Sequence, residues 1–95
     1  MRQYYSEQFT RVLAALAKLS FAEKRCASAL KFANGVLRDD PFREDMHRLA
    51  MKVFSAQSKP AAVKKQFRDL QELLKKELGI EPSAETRRVY RDLTG

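Results

Sequence analysis

The stretch "ELGIEPSAET", residues 77–86, stops one helix and starts another within a few residues. Gly79 closes an apolar run, and glycine takes the left-handed conformation that commonly ends helices. Lys75 and Lys76 sit in the last turn before it, at the negative end of the helix dipole. Beyond the corner, Ser83 is placed to accept a hydrogen bond from the first turn of a new helix. Glu85 follows at that helix's positive end. Such tight punctuation implies a fixed place for the short helix after it, about 84–93. Val89, Tyr90 and Leu93 give that helix one apolar face, and Ile80 is expected to plug the junction.

The rest of the chain also reads as helix. Phe9, Val12, Leu13, Leu16 and Leu19 recur at three- and four-residue steps. So do Met46, Leu49, Ala50, Val53 and Phe54, and then Val63, Phe67, Leu70, Leu74 and Leu78. Asp40 before Pro41 predicts an N-cap with proline at the first helical position. Pro60 starts the next helix after "QSK". The spacing predicts five helices, about 4–22, 26–38, 41–56, 60–78 and 84–93. "NG" at 34–35 is a hairpin signal, but Ala29, Phe32, Ala33, Val36 and Leu37 carry a helical stripe through it. Gly35 is therefore read as helical, costing about 1 kcal/mol against alanine and admitting a close neighbour.

Offset by 34 residues, Lys18 falls on Lys52, Leu19 on Val53, Ala29 on Val63, Ala33 on Phe67 and Val36 on Leu70. Thirty-four is the period of tetratricopeptide helical pairs. The units are about 10–43 and 44–78. A stack of such pairs leaves an apolar face open at its end, and 84–93 is expected to cover it. The fold expected is an all-α, tetratricopeptide-like right-handed superhelix of two helix pairs with a short capping helix.

Composition narrows the function. Nineteen basic and 12 acidic side chains give a net charge of +7. The two signs are mixed along the chain, as in "KKQFRDLQELLKKE", which suits a solvated helix surface. Direct nucleic-acid binding through the basic surface stays open as the alternative function. The single cysteine, Cys26, cannot form an internal disulfide and is expected as a small buried side chain. No signal peptide or membrane-length apolar run is present, so the chain is expected in the cytoplasm. His47 is the only histidine and lacks partners for a metal or a catalytic base. No nucleophilic triad, phosphate loop or CxxC occurs. No enzyme activity and no cofactor or metal are expected. Arg87, Arg88 and Arg91 flank Tyr90, but capping accounts for that helix better than nucleic-acid binding.

Two stretches carry a family resemblance: "DPFREDMHRLAM", Asp40–Met51, and "ELGIEPSAETRRVYRDL", Glu77–Leu93. Over roughly residues 9–94 the chain resembles the bacterial transcriptional activator domain of Streptomyces antibiotic regulatory protein-type regulators, in its C-terminal part. The resemblance implies a protein-interaction or oligomerisation module of a transcriptional regulator, without chemistry of its own. It also implies a fragment of a larger regulator, whose winged-helix DNA-binding domain lies outside this chain. Its partners would be other domains of the parent, a second protomer, giving a homodimer, or the transcription machinery.

Tetratricopeptide units line an inner groove with the first helix of each pair. On the 34-residue register the groove positions are Arg11, Ala14, Lys18 and Phe21, then Asp45, Arg48, Lys52 and Ser55. Arg11, Lys18, Arg48 and Lys52 are the expected cationic strip, with Phe21 as an apolar anchor. Such a strip suits carboxylates or phosphates, and an acidic partner segment is the expected ligand. An apolar face at Phe9 and Leu13 is expected to be open at the N-terminal end of the stack.

Overall fold

The computed structural model describes residues 2–95, with side chains from Glu7 onward. Five helices follow in order: α1 (Arg2–Ala22), α2 (Cys26–Asp39), α3 (Glu44–Ala56), α4 (Pro60–Leu78) and α5 (Ala84–Thr94). The Cα envelope measures 43 × 36 × 18 Å, the thin dimension being about two helix layers. α1 pairs with α2 and α3 with α4, and α3 touches all four of the other helices.

The turns inside the two hairpins have the same construction. Among the described residues, Lys24 (φ +63°) and Ser58 (φ +58°), 34 positions apart, are the two non-glycine residues in the left-handed region. Next to them, the Arg25 N–H donates to Ser20 O at 2.8 Å and the Lys59 N–H to Phe54 O at 2.9 Å. The Lys24 and Ser58 amides donate to Phe21 O and Ser55 O, both at 3.0 Å. Ala29 and Val63, also 34 apart, are both buried in the second helices.

One core lies between the hairpins: Ala14, Ala17, Ala33, Val36, Met46 and Leu49, with Leu13, Phe21, Phe32 and Leu37 packed around them. Small residues let α1 and α2 approach closely. α2 runs unbroken through Asn34 and Gly35, and a Cβ on Gly35 would lie 3.0 Å from Leu13 Cδ1. A second core joins Met51, Val63 and Phe67 to Phe54 and to Val89, Tyr90 and Leu93 of α5. α5 thus covers the second hairpin, and Tyr90 stacks on Phe67 with ring centroids 4.0 Å apart and planes 7° from parallel.

The corner at 77–86 has the expected local chemistry. Gly79 is left-handed (φ +65°) and closes α4, its N–H donating to Lys75 O at 3.1 Å. Ser83 caps α5, accepting from the Thr86 N–H at 3.3 Å.

Four expectations need correction. Ile80 does not plug the junction: it is half exposed, and Pro82, fully buried, fills that place. α3 starts at Glu44, not Pro41. Asp40 instead closes a turn, its carboxylate accepting from the Phe42 N–H at 3.2 Å and its carbonyl from the Arg43 N–H at 3.3 Å. The Pro41 carbonyl is taken by the His47 ring rather than by a helical amide. Cys26 is only half buried, because it opens α2 at the rim of the hairpin. The α1 stripe splits: Leu13 packs inward, while Phe9, Val12, Leu16 and Leu19 face outward.

Candidate functional site

The first turns of α3 and α5 meet in a closed hydrogen-bond cluster. Ser83 stands at the N-cap of α5 and Thr86 three residues on, the spacing of a capping box. That motif normally places Glu or Gln at the third position, to reach back to the cap amide. Here the third residue is threonine and the carboxylate comes from another helix. Glu44 Oε1 accepts from the Ser83 N–H at 3.0 Å and from the Thr86 hydroxyl at 2.6 Å. Thr86 Oγ1 in turn accepts from Ser83 Oγ at 3.1 Å and from Arg48 Nη1 at 2.8 Å. One proton and both lone pairs of a fully buried hydroxyl are thereby used. Burial raises the Glu44 pKa, but the hydrogen bonds from Thr86 and Ser83 and the Arg48 charge outweigh it. The carboxyl is held below its ordinary value.

Arg48 reaches from this cluster toward a groove. Its Nη2 lies 3.9 Å from Glu85 Oε1. Lys18, Asp45, Met46, Arg48, Leu49, Lys52 and Glu85 line an open depression of about 260 Å³. A wider depression of about 640 Å³ adjoins it through the shared Lys18, with Arg11, Arg43, Glu7 and Asp40 on its walls. Of the five groove residues expected from sequence, Arg11 and Lys18 line the wider depression, and Lys18, Arg48 and Lys52 line the smaller one. Phe21 packs against the first core, which commits its ring to the hairpin.

The cations are unequal. The Arg48 side chain is 18% exposed and bound to Thr86, whereas the Lys18 side chain is 61% exposed. Lys18 Nζ lies 3.6 Å from Asp45 Oδ2, but Asp45 is chiefly held by Arg43, in a two-pronged contact at 2.8 and 3.0 Å. Hydrogen bonding from Arg43 sets the Asp45 carboxyl below its ordinary value against the opposing effect of burial. Lys52 is exposed, and no described acid pairs with it.

His47 is structural. Its Nε2 lies 2.8 Å from Pro41 O and its Nδ1 2.7 Å from Gln66 Nε2. These contacts fit a neutral ring that donates through Nε2 and accepts at Nδ1. Burial pushes its pKa below the ordinary value.

Sequence reasoning did not single out Glu44, Thr86 and Glu85 as parts of the site. Glu44 and Thr86 both lie within the two stretches that carry the family resemblance. A serine cap with threonine where a carboxylate is usual was the available signal. No described helix is long and apolar enough to cross a membrane. No curated protein matches the chain, and no solved structure does. A model of the bacterial transcriptional activator domain matches residues 1–94, further toward the N-terminus than the two motifs reach. The chain therefore belongs to the bacterial transcriptional activator domain family, a family of transcription-regulating modules.

Proposed function

We propose that this domain is a protein-interaction module of a larger cytoplasmic regulator, and that it holds an acidic segment of a partner along the α1–α3 groove. The supporting observation is the pair of adjoining depressions that share Lys18 and carry Arg11, Arg48 and Lys52. Units of about 10–43 and 44–78, with α5 as lid, would supply the groove from the first helix of each. Other domains of the regulator, or the transcription machinery, would provide the acidic segment. DNA reading would lie in a separate domain. Asp45 and Glu85 stand among the groove cations, which suits a ligand of defined carboxylate spacing better than a uniform phosphate backbone.

Titration with a fluorescein-labelled peptide of alternating Glu and Leu tests this reading. Lys18→Glu and Lys52→Glu should each weaken binding by about tenfold, and added salt should weaken it further. Binding that ignores both reversals removes the groove from the account. Duplex DNA binding with a steep salt dependence would support the nucleic-acid alternative instead.

A further inference from the structure

The Arg48 guanidinium is anchored through one terminal nitrogen and loosely met at the other. Nη1 donates to Thr86 Oγ1 at 2.8 Å, and Thr86 is fully buried. The Thr86 hydroxyl donates in turn to Glu44 Oε1 at 2.6 Å. The joint between α3 and α5 therefore fixes this side of the arginine. Nη2 lies 3.9 Å from Glu85 Oε1, and both residues line the smaller depression.

Arg48 and Glu85 are poorly closed as a pair. Charge-assisted hydrogen bonds between guanidinium and carboxylate shorten to about 2.7–2.9 Å. Arg43 and Asp45 reach 2.8 Å, whereas Arg48 and Glu85 stop at 3.9 Å. Among the described residues, no other carboxylate pairs with Arg48. The Arg48 side chain is 18% exposed and the Glu85 side chain 69%. The arginine is the fixed member of the pair and the glutamate the movable one.

We infer that Glu85 is a placeholder: it stands where a carboxylate of the acidic partner segment takes hold of Arg48, and binding displaces it. The inference rests on the groove reading and deepens it, because it makes α5 part of the site. Thr86 is a positioning residue there, since it sets the orientation of Arg48 without meeting the ligand. An exposed pair at this separation contributes little, so a carboxylate that closes to hydrogen-bond distance replaces it. Glu85 also opposes loose occupancy. A segment with one poorly placed acid gains little over the internal glutamate. A segment that also meets Lys18 and Lys52 gains more contacts than it displaces. Such an opposing element sharpens selection for the spacing of the acids.

Titration with the fluorescein-labelled peptide of alternating Glu and Leu tests the inference. Glu85→Gln should bind about threefold more tightly than the wild-type chain. Glu72→Gln makes the same change of net charge at an exposed position of α4 that joins no described ion pair. It should alter binding by less than ~1.5-fold. Arg48→Gln retains an N–H donor for Thr86, and in that background Glu85→Gln should bring no gain. Where Arg48→Gln loses its helical signal, the comparison of Glu85→Gln with Glu72→Gln decides. Glu85→Gln binding no better than Glu72→Gln overturns the inference, as does a gain that persists without Arg48. If Lys18→Glu and Lys52→Glu still weaken binding in that case, the groove reading stands and the placeholder alone falls. Binding by neither the wild-type chain nor Glu85→Gln removes both.

Discussion

The two ends of the helix stack are finished differently. At the α4 end, α5 lies over Met51, Val63 and Phe67, with Tyr90 stacked on Phe67. At the α1 end, Val12 and Leu19 stand more than half exposed, although their counterparts Met46 and Val53 are fully buried. The same apolar spacing thus yields core at one level of the stack and surface at another. Periodicity records that a helix face suits a partner, and the neighbouring element decides whether that partner is present.

Removing the seal should have the largest effect. Phe67→Ala deletes the ring under Tyr90 and leaves a cavity, and should cost about 3–4 kcal/mol in urea unfolding. A loss under about 1 kcal/mol would mean that the α4 end is as open as the α1 end.

Thr86→Val keeps the shape but removes the hydroxyl. It leaves Arg48 and Glu44 each short of one partner and should cost about 2 kcal/mol. Hydrogen exchange should show α5 amides losing protection before those of α1. Equal loss in both helices would erase the distinction between a clamped end and an unclamped one.

The clamp also predicts a pH response. Glu44 has its pKa lowered in the fold, so the unfolded chain binds the proton more readily. Its contribution to stability is complete above the ordinary carboxyl value of 4.5 and is lost as pH falls below that, toward the folded value. Glu44→Gln should flatten the acid limb of a stability-versus-pH curve. His47, also lowered, acts at higher pH: its contribution is full above its ordinary 6.5 and declines as pH drops through it.

The smallest effect compares the two hairpin turns. Lys24→Gly and Ser58→Gly relieve the same left-handed backbone and should each stabilise by about 0.5–1 kcal/mol. Unequal gains would show that the two turns are alike in hydrogen bonding only.

What was legible in the sequence was mostly local. Gly79, Pro60 and Ser83 act through their own φ angle or an oxygen three residues away, and each stands where its chemistry placed it. Gly35 is also legible, since the stripe on either side of it continues. Errors arose where a distant group competes for a local one. Asp40 and Pro41 look like a helix start, but His47 takes the Pro41 carbonyl and sets the start back to Glu44. Ile80 and Pro82 are two residues apart, and which of them turns inward depends on where the lid lands. The partnership of Glu44 with Ser83 and Thr86 spans about forty residues, beyond any short-range pattern. Arg48 shows the same limit. It lines the depression beside Lys18 and Lys52, but its bond to Thr86, which leaves it less exposed than either, was not legible.

The borrowed carboxylate has a consequence for the order of assembly. An 11-residue helix is too short to persist alone in water, and the acid that completes its cap belongs to a segment made roughly forty residues earlier. During synthesis on the ribosome, α5 therefore has no reason to coil until α3 has docked and Glu44 waits in position. The lid thus takes its cap, as well as its apolar seat, from helices that precede it, and its helicity is tied to the integrity of that platform.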